Sequence, residues 1–148
     1  MSAELLGHHL RAEQIDHDAE YRFGAIASGG AGKGLRGRLK EAGLKDWRAD
    51  FHIIGHMLLV EVEGGAWGKS RHTTGTGFAG DLRKYDAAMR LGYTVYRCDP
   101  AMVKDGLAIE TIKRLIALRQ ACNPRPLDLQ SCGTLSRLTK PIGEICEA

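Results

Sequence analysis

The sequence predicts an α/β domain in which a small mixed β-sheet packs against helices. Three observations carry that reading. The stretch 48–54 alternates polar and apolar residues, 57–63 starts apolar and then alternates, and Gly55-His56 between them suits a hairpin turn. A helical pattern over 79–91 then separates them from the β-branched and aromatic run 93–98, so the last strand is reached by a crossover and the sheet is mixed. Finally, a chain of 148 residues, 43% hydrophobic and 26% charged, suits a single core.

The elements follow in order. From Ser2 to about Glu13, Leu5, Leu6 and Leu10 fall on one side of a short amphipathic helix, with Ser2 as N-cap. Glu20-Tyr21-Arg22-Phe23 reads as a short strand. The Gly/Ala/Ser-rich stretch from Gly24 to Gly34 reads as a loop, and Leu35 to Leu44 as a small basic helix. After the hairpin, Gly64-Gly65 ends the strand, and 66–78 is a loop dense in hydrogen-bond donors. The helix over 79–91 puts Leu82, Tyr85 and Met89 on its core face, with Gly92 closing it. A last helix spans about 106–121, with Ile109, Ile112, Leu115 and Ile116 inward. Residues 1–122 thus form one domain with a basic insertion at about 24–46. The tail 123–148, with three prolines and no period, is a partly ordered appendage.

Composition excludes several classes. No apolar run reaches the roughly 18 residues of a membrane-spanning helix. Glu4, His8, His9 and Glu13 stand where a signal peptide needs an apolar stretch. Cys98, Cys122, Cys132 and Cys146 form no close pair, which predicts free thiols in a reducing cytoplasm rather than a zinc site. His8-His9 reads as a solvated helix face. The net charge of +3 permits an anionic partner without requiring one, but the cations concentrate between Lys33 and Arg48. The glycine-rich run before Lys33 is no phosphate loop, since Ala27 takes the first glycine position of GxxxxGK and Gly34 replaces Ser/Thr.

The hairpin carries the chemistry. With its turn at Gly55-His56, paired residue numbers sum to 111, so Asp50 lies opposite Glu61 and Arg48 opposite Glu63. Directly opposite Cβ atoms lie about 4.5–5.5 Å apart, and two carboxylates there repel unless a cation sits between them. Hard oxygen ligands suit Mg²⁺. Alternation puts Glu61 and Glu63 on one face and points Val60 and Val62 into the core. The plain alternative is a solvated polar face on which Arg48 neutralises Glu63. The neighbours weigh against it: Lys69, Arg71 and His72 follow in the donor-rich loop, and Asp81 and Lys84 share a helix face at i,i+3. Carboxylates for a metal with cations nearby are what phosphodiester hydrolysis needs.

Asp50 followed by Val60-Glu61-Val62-Glu63-Gly64-Gly65 resembles the PD-(D/E)xK nuclease signature in its E-x-E variant. The ordered set of Glu20-Tyr21-Arg22-Phe23, Trp47 to Phe51, Arg71-His72-Thr73, Gly75 to Phe78, Asp81 to Tyr85 and Leu91 to Arg97 is similar to small phage and prophage endonucleases of the very-short-patch-repair-like group. The resemblance implies a restriction-endonuclease-like α-β-β-β-α-β core. It also implies a Mg²⁺- or Mn²⁺-dependent DNA endonuclease that leaves a 5′-phosphate. Asp50 and Glu61 then match the metal-binding acids, and the Val62 carbonyl is a further metal ligand. A further catalytic acid comes from Glu20 or Glu4.

Two departures stand out. Glu63 occupies the position of the family's lysine; it accepts a proton as general base or binds a second metal, and Lys84 supplies the missing positive charge. The insertion brings Lys33, Arg36, Arg38 and Lys40, which with Lys69, Arg71 and His72 are the candidate DNA-binding residues. Trp47, Trp67 and Tyr93 are read as core packing. A monomer most simply nicks DNA, whereas a homodimer cuts both strands. The alternatives are a nucleic-acid-binding module that kept the fold and lost catalysis, and a branch- or mismatch-selective nuclease.

Overall fold

The computed structural model describes residues 2–64 and 75–122. Four strands, β1 (His17–Tyr21), β2 (Ala49–Ile53), β3 (Leu58–Val62) and β4 (Thr94–Cys98), form one sheet in the order β1-β2-β3-β4. The first two pairings are antiparallel and β3 pairs with β4 in parallel, so the sheet is mixed, as the crossover requires. The helices are α1 (Ser2–Ala12), α2 (Phe23–Ala27), α3 (Leu35–Glu41), α4 (Gly75–Arg90), α5 (Pro100–Lys104) and α6 (Leu107–Cys122). Among the described residues no helix is long and apolar enough to cross a membrane.

The central strand explains the layering. Leu58, Leu59 and Val60 are all buried, because both faces of β3 are covered. Leu58 and Val60 pack with Leu6, Leu10, Ile109 and Ile112 on one side. Leu59 packs with Phe23, Ala49 and Ala88 on the other. The pairs Ile53↔Leu58, His52↔Leu59 and Phe51↔Val60 keep the predicted register. The turn takes four residues, 54–57, rather than two, with Gly55 and Met57 at positive φ; lengthening it by one residue on each side leaves the register unchanged.

Several elements differ from expectation. β1 starts at His17, and Phe23 instead opens α2, where it is fully buried and stacks on Trp47. Antiparallel pairing with β2 fixes β1 earlier than the 20–23 run suggested. On α4, Leu82 and Met89 are exposed, and among its described side chains Ala87 and Ala88 are the buried ones. Small alanines let the helix approach the sheet and turn Lys84 and Tyr85 toward its end. Leu5 is exposed, whereas Leu6 and Leu10 are buried. His9 Nδ1 is buried with no partner among the described residues, so this histidine is not on a solvated face. The short α5 has its cap in the sequence: Asp99 accepts the Met102 N–H at 2.8 Å and Pro100 takes the first helical position. Gly92, at φ +89°, ends α4, with the Tyr93 N–H returning to the Ala88 carbonyl at 3.0 Å. The tail and the loop residues 65–74 lie outside the described residues.

The two ends of the insertion meet. The Gly24 N–H points to the Trp47 carbonyl at 3.4 Å, and Arg22 makes a two-pronged pair with Asp46. A Cβ at Gly24 would lie 2.0 Å from the Lys45 carbonyl oxygen, which is backbone and cannot swing aside. Gly24→Ala is therefore expected to cost about 2–3 kcal/mol in urea unfolding, as overpacking does. Gly37→Ala, with nothing within 4 Å of its Cβ, should instead raise stability by up to about 1 kcal/mol.

Candidate active site

The acids gather where β1 ends, β2 begins and β3 and β4 end. Glu61 is on β3 between Val60 and Val62, so alternation aims it at α4 while its neighbours enter the opposite core. It is 9% exposed. Lys84, on α4, places Nζ 2.5 Å from Glu61 Oε1, with both side chains largely buried. Asp50 stands one step past the last hairpin pair, Phe51↔Val60, and its Oδ2 accepts the Val62 N–H at 2.7 Å. Burial raises the Glu61 carboxyl to about 7, with Lys84 opposing the shift and the nearby Asp50 and Glu63 charges adding to it. Three carboxylates thus crowd one sheet end, and the lysine is the group that counters their repulsion at Glu61.

Glu63 is held differently. Its Oε1 accepts from Tyr85 Oη at 2.9 Å and from Arg97 Nε at 2.6 Å. The Arg97 guanidinium lies 4.6 Å from the centre of the Tyr85 ring. Burial and the bond to Glu63 push the Tyr85 hydroxyl above its ordinary range. The alternative in which Arg48 neutralises Glu63 gives way to Arg97, because Glu63 lies past the end of β3 and follows β4, its N–H donating to the Cys98 carbonyl at 2.8 Å. Arg48 approaches Glu20 instead, at 3.9 Å. The sequence pattern places Tyr85 on the core face of its helix and Arg97 in a strand, and neither carries a local signal for this site. The parallel register Glu61↔Arg97 is what brings Arg97 here, and pairing across a crossover has no local signal.

Glu20 has a left-handed backbone (φ +50°) between the pairs Ala19↔Phe51 and Tyr21↔Ala49, which is the position facing Asp50. A cavity of about 580 Å³ lies beside it, lined by Glu4, Glu20 and Asp50 together with His8 and Arg11. Both candidate acids thus reach the Asp50 side. Among the described residues no three His, Cys, Asp or Glu side chains close on one ion.

The other candidates separate. Lys33, Arg36 and Lys40 are exposed. Arg38 turns inward, donating to the carbonyls of Ser28 (2.6 Å), Gly30 (2.7 Å) and Lys33 (2.8 Å). Lys69, Arg71, His72 and Trp67 lie outside the described residues. Trp47 and Tyr93 pack against the second core, as expected. Cys98 is a buried free thiol whose burial pushes it to about 11.

No family model and no curated protein matches the chain. Among solved structures it resembles the catalytic domain of the homing endonuclease I-Bth0305I, with a TM-score of 0.50 and 17% identity over 84% of this chain and 98% of that one. At that identity the likeness is one of fold: the chain has the fold of a nuclease catalytic domain.

The Glu61–Lys84 pair yields a stability test in metal-free buffer. A carboxyl raised from 4.5 to about 7 favours the folded state below pH 4.5, and that contribution is lost as pH rises through 7. Above pH 7 the buried carboxylate relies on Lys84. Lys84→Met should therefore cost about 3–5 kcal/mol at pH 8 and much less at pH 5, measured by urea unfolding at both.

Proposed function

We propose that the chain is a divalent-metal-dependent DNA endonuclease. The observation that carries this reading is Lys84 Nζ at 2.5 Å from buried Glu61, beside Asp50: two acids and a lysine at one sheet end, with the lysine supplied by the crossover helix. The fold likeness to a homing endonuclease catalytic domain supports it.

Asp50, Glu61 and the Val62 carbonyl are the groups that would hold Mg²⁺ or Mn²⁺. Mg²⁺ takes one or two carboxylates and keeps several waters, so a two-acid donor set fits it without a third side chain. Such an ion, when bound, polarises a phosphoryl oxygen and lowers the pKa of a water. The protein's own residues do the rest. Lys84 stabilises negative charge building on the phosphate and orients the attacking water. That water gives up a proton to solvent as its oxygen attacks phosphorus, the P–O3′ bond breaks, and the 3′ oxygen takes a proton from solvent, giving a 5′-phosphate and a 3′-hydroxyl. Glu63, bound by Tyr85 and Arg97, acts here as a positioning residue that fixes the end of β3.

A second reading has its own observation. Glu63 stands at the sequence position of the family's lysine and is engaged by Arg97, which suits a binding module that lost catalysis.

Plasmid cleavage with Mg²⁺, Mn²⁺ or EDTA separates the two. We expect cleavage that needs metal and is abolished in Asp50→Ala and Glu61→Ala. Lys84→Met should lower the rate by about 10² or more, as loss of a charge-stabilising group does. Glu63→Gln should lower it by less than about tenfold, since a hydrogen-bonding side chain remains for Tyr85. DNA binding without cleavage under any metal would establish the second reading.

A further inference from the structure

Residues 24–45 hold five cations, Lys33, Arg36, Arg38, Lys40 and Lys45, against one acid, Glu41, a net of +4. The full chain carries +3, so everything outside this stretch sums to −1. The positive net charge of the protein therefore resides in one excursion of 22 residues. Its position is equally specific. It leaves the sheet after β1 and returns before β2, at the end where Glu20, Asp50, Glu61 and Glu63 gather. Its two ends are fastened together by the Arg22–Asp46 pair and by the close approach of Gly24 to Lys45 and Trp47.

Within the excursion the cations divide into two kinds. Arg38 spends its guanidinium on three loop carbonyls and so holds the path of residues 28–33. Lys33, Arg36 and Lys40 are exposed, and among the described residues no carboxylate pairs with them. A cluster of acids repels a polyanion. Something must offset that repulsion at long range before any contact forms, and a cationic segment rooted at the same end of the sheet is suited to do so.

We infer that the insertion is a pinned phosphate-backbone grip for duplex DNA, in which Lys33, Arg36 and Lys40 make the contacts and Arg38 shapes the surface from inside. This deepens the nuclease reading and rests on it for the identity of the polyanion. The grip supplies affinity without sequence information, as phosphate contacts do.

The test is the salt dependence of binding to a fluorescein-labelled duplex of mixed sequence, followed by anisotropy in EDTA so that no cleavage intervenes. Each phosphate contact contributes about 0.9 to the slope of log K against log salt. Lys33→Ala/Arg36→Ala/Lys40→Ala should therefore flatten the slope by about 2–3. Lys104→Ala/Arg114→Ala, which removes exposed cations from α5 and α6, should leave it unchanged. Arg38→Ala should weaken binding and also expose the 28–34 segment to proteolysis, which the triple variant should not. An unchanged slope in the triple variant, or an equal loss in the α5/α6 control, overturns the inference. Stronger binding of the wild type to anionic lipid vesicles than to duplex also overturns it. Metal-dependent plasmid cleavage by the wild type reports separately on the nuclease reading, so an active protein with an unaltered slope in the triple variant sinks the grip alone.

Discussion

A carboxylate buried in the central strand is the constraint around which the rest of this molecule is arranged. Glu61 sits where β3 is covered on both faces, and a charge there is tolerated only with a partner. The partner comes from α4, the helix of the crossover between β3 and β4. Satisfying Glu61 therefore also constrains how α4 lies on the sheet, with Ala87 and Ala88 buried and Lys84 turned to the sheet end. Leu82 and Met89, which a helical wheel would bury, are left exposed because Lys84 and Tyr85 face the acids.

The second acid of the strand shows the same economy. Glu63 is engaged by a tyrosine of α4 and an arginine of β4, so a single carboxylate ties the helix to the edge strand. Asp50 is tied through its hydrogen bond to the Val62 amide. Glu61 and Glu63 thus bridge elements far apart in the chain, Asp50 ties the two strands of the hairpin, and together they fasten this end of the sheet.

How much of this is legible in the sequence depends on the range of the interaction. The hairpin register and the placement of Val60 and Val62 follow from period-two alternation and a turn, which are local, and they appear in the structure as read. The Gly92 helix end and the inward face of α6 follow from equally local rules. The extent of β1, the face of α4 and the Glu63–Arg97 pair do not, because each is decided by a partner tens of residues away. Lys84 is an intermediate case. Its residue type and proximity to Asp81 were visible, but only the crossover geometry brings it against Glu61. Arg38, by sequence a candidate DNA-binding cation, turns inward instead, and nothing in its neighbours announces three converging carbonyls.

The parallel pairing of β3 with β4 also governs when the acid and the lysine can meet. Leu58 and Thr94 pair across 36 residues of chain, so this contact closes a long loop and carries a large entropic cost before it gains anything in return. The hairpin, by contrast, closes within a few residues. By loop length alone, aligning the acids in the hairpin costs less entropy than the β3–β4 pairing that brings Lys84 to them. Completing the Glu61–Lys84 pair therefore depends on the long-range pairing of β3 with β4, and the hairpin alone cannot bring the two together.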